Sequence, residues 1–73
     1  MSVSESELRA AVLEAAGEIR AATGKSAWAA FEAPEEVSEN GEVLRALGFV
    51  EGAAMALNLT PLELLDQLGV ADD

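Results

Sequence analysis

The sequence predicts an all-α fold, a small bundle of three to four helices, and three observations support this class. Apolar residues recur at spacings of three and four, which is the period of one face of an α-helix. Capping residues precede these runs, and no stretch alternates apolar and polar residues as a half-buried strand would. The 73 residues are expected to form one helical domain, 1–73, with flexible ends at residues 1–4 and 70–73.

The first helix is predicted over residues 5–22. Ser4 is its cap, Glu7 stands three residues later as a capping box requires, and Gly24 can adopt the left-handed conformation that ends a helix. Its apolar stripe consists of Leu8, Val12, Ala15, Ile19 and Ala22. This stripe is expected to face the core.

A short second helix is predicted over residues 26–33. Ser26 can cap it, and the residue before Pro34 is kept out of the helical region. Trp28 and Phe31 are three residues apart and share a face. Packing into the small core is the favoured interpretation of both aromatics, and a partner contact at Trp28 is the alternative.

The connection that follows, residues 32–42, is polar and acidic. It contains Glu32, Glu35, Glu36, Glu39 and Glu42. Asn40-Gly41 is typical of a turn, and either Ser38 or Asn40 can cap the next helix. A negative charge in the first turn of a helix interacts favourably with the helix dipole, so Glu42 has a structural role there. Glu35, Glu36 and Glu39 have less structural reason for their positions.

The third helix, residues 42–58, is expected to be the central one. Its apolar stripe is Val43, Leu47, Val50, Ala54 and Leu57, widened by Leu44, Phe49, Ala53 and Met55. The helix should therefore be buried on most sides. Gly48 and Gly52 lie on the opposite face, where each costs about 1 kcal/mol relative to Ala. Two explanations stay open, namely the close approach of another backbone or a break into two shorter helices.

A fourth helix is predicted over residues 61–68. Thr60 caps it, Pro61 takes the first helical position, Glu63 completes a second capping box, and Gly69 follows the last turn. Its apolar contacts come from Leu62, Leu64, Leu65 and Leu68.

The segment from Phe49 to Leu68 resembles the helix-turn-helix of Fis-like bacterial DNA-binding proteins. That pattern has paired alanines, a leucine, a turn residue, an aliphatic residue and a Ser or Thr cap, followed by two inward positions. The matching residues are Ala53, Ala54, Leu57, Asn58, Leu59, Thr60, Leu64 and Leu68. Asn58 stands where Gly is usual and tolerates a positive φ better than most residues. The resemblance implies that the last two helices are arranged as in that motif.

Direct DNA binding is nevertheless disfavoured by charge. The outward positions of the fourth helix are Pro61, Leu62, Glu63, Asp66 and Gln67. Only Gln67 among them has a base-reading side chain, and no Lys or Arg follows Arg45. DNA-binding proteins gain affinity from Lys and Arg at the phosphates. The motif is therefore expected to serve packing or protein contact.

Charge is the strongest compositional signal, because fourteen acids and four bases give a net charge of −10. Residues 1–30 carry four acids and three bases, residues 31–45 five acids and one base, and residues 46–73 five acids and no base. Such a field repels nucleic acid and anionic membranes and attracts basic protein surfaces. Solubility alone, or a salt-rich cytoplasm, explains the same composition equally well.

Other functional classes lack the residues that they need. No His or Cys is present to activate a nucleophile or bind zinc, and the acids do not follow the spacing of a calcium loop. No enzyme, metal or cofactor is therefore expected. The longest apolar stretch has fourteen residues, whereas a membrane span needs about twenty. The acidic start is unlike a signal peptide, so a soluble cytoplasmic protein is expected.

The leading functional hypothesis is a small acidic protein-interaction module. Its sharper form is an inhibitor that mimics DNA and occupies a basic nucleic-acid-binding surface of a partner, since small acidic inhibitors from phage and mobile elements have this composition. The five glutamates of residues 32–42 are the predicted contacts. The alternative is a homo-oligomer such as a homodimer, formed through Gly48, Gly52 or Leu62. A degenerate helix-turn-helix regulator is a third hypothesis.

Overall fold

The computed structural model describes residues 4–37 and 39–70. Within them the chain forms four α-helices and one short 3₁₀ helix and contains no β-strand. The elements are α1 (Glu5–Thr23), α2 (Ala27–Glu32), the 3₁₀ helix (Pro34–Glu36), α3 (Gly41–Ala56) and α4 (Pro61–Gln67). The predicted all-α class is confirmed. The sequence predicts flexible ends at residues 1–4 and 70–73, and of these all but Ser4 and Val70 lie outside the described residues.

The ends of α1 follow from its capping residues. The Ser4 hydroxyl accepts a hydrogen bond from the backbone N–H of Glu7 at 3.2 Å. At the other end Gly24 has a φ of 75° and donates its N–H to the carbonyl of Arg20 at 2.8 Å. A left-handed residue of this kind closes the last helical turn, and Gly adopts the conformation without strain. Helix α1 is therefore one residue longer than predicted.

Helix α2 is one residue shorter at each end than predicted, because Ser26 and Ala33 are its caps. The Ser26 hydroxyl accepts a hydrogen bond from the N–H of Ala29 at 3.2 Å. Ala33 has φ −135° and ψ 65°, since the residue before Pro34 is excluded from the helical region. The sequence did not predict the 3₁₀ helix that follows, because a single turn of three residues leaves no periodic pattern.

Helix α3 begins after Asn40, one residue earlier than predicted. The Asn40 side-chain oxygen accepts hydrogen bonds from the N–H groups of Glu42 and Val43 at 3.1 and 3.2 Å. Of the two predicted caps Asn40 is therefore the one observed, and Ser38 lies outside the described residues.

The C-terminal ends of α3 and α4 have the same geometry. Asn58 has a φ of 60°, and the N–H of Leu59 donates to the carbonyl of Ala54 at 2.8 Å. This Schellman arrangement reverses the chain, so α3 ends two residues before the predicted residue 58. Gly69, with a φ of 77°, ends α4 in the same way and one residue earlier than predicted.

Helix α3 is central, as predicted, because it packs against α1, α2 and α4. The core consists of Val12, Ala15, Ala16, Ile19, Ala27, Ala30, Val37, Val43, Ala46, Leu47, Val50, Ala53, Ala54, Leu64 and Leu65. Seven of these fifteen residues are alanines, whose small side chains allow helix axes to approach closely. The largest fully buried side chains are Ile19, Leu64, Leu65, Val12, Val43 and Val50.

The two aromatics of α2 lie at the edge of the core. Trp28 and Phe31 are both half-buried and pack against it, and Leu62 of α4 does the same. Packing against the core therefore explains the buried part of each of these three side chains. A partner contact at Trp28 or Leu62 stays a prediction.

The predicted burial of α3 on most sides is wrong. Leu44 and Phe49 are each 43% exposed and Met55 is 72% exposed, although Ala53 is buried as expected. Three neighbouring helices cover one side of α3 and leave the opposite side open. We define the outer face of α3 as Leu44, Gly48, Gly52 and Met55.

Neither explanation offered for the two glycines of the outer face holds within one chain. Helix α3 continues through Gly48 and Gly52 without a break. A Cβ atom added at either position would meet no heavy atom within 4 Å. Close approach of another backbone is therefore absent at both glycines.

No single helix in residues 4–37 and 39–70 is long and apolar enough to cross a membrane. Helices α3 and α4 reach that length and composition only together, and the chain bends by 86° between them.

Truncation of a core leucine of α4 tests the packing. Leu64 is 0% exposed, so Leu64→Ala is expected to lower the free energy of unfolding by about 2–5 kcal/mol. Leu44→Ala makes the same chemical change at a half-exposed site and should cost much less. Urea denaturation followed by circular dichroism measures both values. Equal losses in the two variants would contradict the assigned core.

Candidate functional site

The turn between α3 and α4 has the geometry that the resemblance implies. Residues 57–60 connect the two helices, whose directions differ by 86°, near the roughly 90–120° typical of helix-turn-helix units. Thr60 caps α4, because its hydroxyl accepts from the N–H of Glu63 at 3.2 Å. Glu63 completes the capping box, because its carboxylate accepts from the N–H of Thr60 at 2.9 Å. Both capping-box predictions for α4 are confirmed.

The outward side of α4 carries acids and no Lys or Arg. Glu63 and Asp66 are exposed, whereas Pro61 and Leu62 are half-buried. The side-chain oxygen of Gln67, the one residue suited to reading a base, accepts a hydrogen bond from Arg9 of α1 at 2.9 Å. Arg9 also lies 3.7 Å from the carboxylate of Glu5. Arg9 is therefore the only basic residue with a described hydrogen bond to α4. Its guanidinium already contacts Gln67 and Glu5 of the same chain.

The capping box lowers the pKa of Glu63 from its ordinary value of 4.5. The main cause is the hydrogen bond from the backbone of Thr60, and the Thr60 side chain adds to it. Both interactions favour the ionised carboxylate. Glu63 therefore has a structural role at the start of α4, separate from any partner.

The five predicted contact acids are only partly brought together. Glu36, Glu39 and Glu42 line one open depression of about 780 Å³ beside the end of α1. Glu36 forms an ion pair with Lys25, which lies in the same depression. Glu32 and Glu35 are exposed on the preceding segment but do not line it. Glu32 belongs to α2, before the 3₁₀ helix, whereas Glu35 and Glu36 are successive residues of the 3₁₀ helix, whose side chains point in different directions.

A second depression of about 580 Å³ continues the first along α1 and α3. It is lined by Ala11, Glu14, Ala15, Glu18, Glu42, Arg45, Ala46 and Phe49. Glu42 and Arg45 line both depressions. The acidic region therefore extends onto α1, where the sequence analysis did not place contacts.

Glu14 and Glu18 are the two residues that sequence reasoning missed. They stand four apart, so both lie on one side of α1 next to its apolar stripe. This spacing of four residues is the feature of the sequence that indicates a shared position on α1. Their proximity to Glu42 depends on α1 and α3 running antiparallel, with the end of α1 beside the start of α3.

The other predicted contacts, Trp28, Gly48, Gly52 and Leu62, do not line either depression. The two glycines lie on the outer face of α3, and Trp28 and Leu62 lie at the edge of the core. Within the described part of the chain, no group of three or more His, Cys, Asp or Glu residues is arranged to hold a metal ion.

Comparison with known proteins identifies no relative. No protein-family model matches the chain, and no curated protein and no solved structure is significantly similar to it. A functional assignment therefore has to be argued from residues and geometry.

The lowered pKa of Glu63 gives a pH-dependent contribution to stability. Because the folded pKa lies below the unfolded one, the contribution is complete above about pH 4.5 and is lost as the pH falls through the folded pKa. Glu63→Gln should therefore lower the urea midpoint at neutral pH, and the difference from the natural protein should shrink in acid. Thr60→Ala removes only the hydroxyl and keeps the backbone N–H that donates to Glu63, so its difference from the natural protein should shrink less in acid. A difference that stays constant across the pH series would contradict the capping-box origin.

Proposed function

We propose that this protein binds a basic surface of another protein through an acidic surface beside α1 and α3. The acidic surface is defined as Glu14, Glu18, Glu36, Glu39 and Glu42. The observation that carries the proposal is that two adjoining depressions bring these five carboxylates together from three parts of the chain.

The charge balance of this surface favours a cationic partner. The two depressions contain only Lys25 and Arg45 as cations, and Lys25 is paired with Glu36. The five carboxylates are all exposed, so a partner's Arg or Lys can bond them without leaving a charge buried and unpaired. The net charge of −10 adds long-range attraction that accelerates association.

The partner surface that best fits this description is one that otherwise binds nucleic acid. Such surfaces are rows of Arg and Lys arranged to meet many negative charges. A protein with several exposed carboxylates on one surface can occupy them in place of phosphates. The protein would then act as an inhibitor that mimics DNA, while its own charge keeps it from binding a duplex.

Neutralisation of the acidic surface tests the proposed contact. Glu36→Gln, Glu39→Gln and Glu42→Gln combined should weaken binding of a fluorescent oligo-arginine peptide by about tenfold at low salt. Fluorescence anisotropy measures the affinity. The affinity of the natural protein should also fall as salt is raised, because exposed charges are screened.

The matched control removes three charges elsewhere. Glu5→Gln, Glu51→Gln and Asp66→Asn together make the same change of net charge, from −10 to −7, at exposed sites outside both depressions. Equal weakening in both triple variants would mean that net charge alone acts. If the protein mimics DNA, it should release a labelled duplex from a basic DNA-binding domain. A change in the electrophoretic mobility of the duplex caused by this protein alone would refute the mimic role.

A second candidate function is self-association through the outer face of α3. The observation in its favour is that this face is apolar and open, with Leu44 43% and Met55 72% exposed beside two glycines. Glycines on a helix surface allow the backbone of another helix to approach closely. A second copy could supply the backbone approach that is absent within one chain.

Substitution of the two glycines separates stability from self-association. An added Cβ meets open space, so Gly48→Ala and Gly52→Ala should each raise the stability of the monomer by about 0.5–1 kcal/mol. The same methyl groups would separate two packed helices and weaken a dimer. Sedimentation at micromolar concentrations measures the dimer. A natural protein that stays monomeric would refute this candidate.

A further inference from the structure

The groove between α1 and α3 has an apolar floor as well as an acidic rim. Ala15 and Ala46 are buried in its floor, and Ala11 is half-buried there. Phe49 lies in the same groove with 43% of its surface exposed. The small alanine side chains leave the ring accessible beside them. The groove therefore offers a binding partner a hydrophobic contact in addition to its charged groups.

The rim of this groove selects the charge of what can bind in it. Glu14, Glu18 and Glu42 are exposed along the rim, and Arg45 is the only cation lining the groove. A second copy of the chain, with a net charge of −10, would meet this rim with unfavourable electrostatics, as would nucleic acid. A segment with Lys or Arg on both sides of an apolar residue complements both features.

The length of the groove limits the size of that segment. Its α1 side runs from Ala11 to Glu18, which lie seven positions apart and are separated by about 10 Å along the helix axis. This distance equals about two turns of a helix, or about three residues of extended chain. The groove is therefore suited to one apolar anchor with a few flanking cations.

We propose that the groove between α1 and α3 binds a cationic amphipathic segment of the partner protein, whose apolar residue packs on Phe49 and whose cations pair with Glu14, Glu18 and Glu42 along the groove. This inference rests on the proposed function and adds a specificity element to it. A pure polyanion would bind any cationic sequence of equal charge. This groove discriminates between cationic sequences by the apolar residue that they carry.

Two labelled peptides of equal charge test the inference. One has a single Leu residue flanked on each side by Arg and Lys, and the other has Ser in place of that Leu residue. The natural protein is expected to bind the Leu peptide about tenfold more tightly by fluorescence anisotropy. The preference should persist at high salt, since the hydrophobic contact is not screened.

Two substitutions at Phe49 and one matched control locate the preference. Phe49→Ala and Phe49→Gln should each abolish the preference for the Leu peptide and leave binding of the Ser peptide unchanged. Met55→Ala removes an exposed apolar side chain on the outer face of α3 and should keep the preference. Thermal melts of all three variants verify that they fold. Because two different replacements are made at Phe49, the test still stands if one of them fails to fold.

The outcomes distinguish this inference from the proposed function. Equal affinity for both peptides, or a preference retained in both Phe49 variants, overturns the inference. If the Ser peptide still binds in a salt-dependent manner, the proposed function survives that result. If neither peptide binds at low salt, both proposals fail. Self-association of the natural protein that disappears in Phe49→Ala would assign the groove to a second copy and also overturn the inference.

Discussion

The close packing of α3 on its neighbours is the constraint on which the rest of the structure depends. Helix α3 touches α1, α2 and α4, and its contact with α1 is the most extensive between any two helices of the described residues. Alanines at 15, 16, 46, 53 and 54 form much of this contact. A chain of 73 residues has little interior volume, so small side chains let four helices share one core.

The same packing leaves apolar side chains of α3 on the surface. A helix whose three neighbours all pack on one side has no element left to cover the other, so Leu44 and Met55 lie open and Phe49 borders a groove. These residues do not strengthen the fold in the monomer. They give the molecule two different apolar surfaces, one beside carboxylates and one beside glycines, and each suits a different kind of contact.

Two groups of acids in the described residues have different physical roles. Glu63 bonds the start of its own helix, and Glu42 lies in the first turn of α3, where the helix dipole favours a negative charge. Glu14, Glu18 and Glu39 serve no cap and line the depressions beside α1 and α3. Acids without a local structural role are the more informative ones for function, because solvation alone holds them on the surface.

The sequence by itself determined the all-α class, the residues that cap the helices and the charge. Ser4, Ser26, Asn40 and Thr60 cap helices, and Gly24 and Gly69 end them, through hydrogen bonds that reach only a few residues along the chain. Only the tertiary structure decided which apolar residues of α3 are buried, and that Glu14 and Glu18 meet Glu42. Those outcomes depend on which helix covers each side of another, and periodicity within one helix does not contain that information.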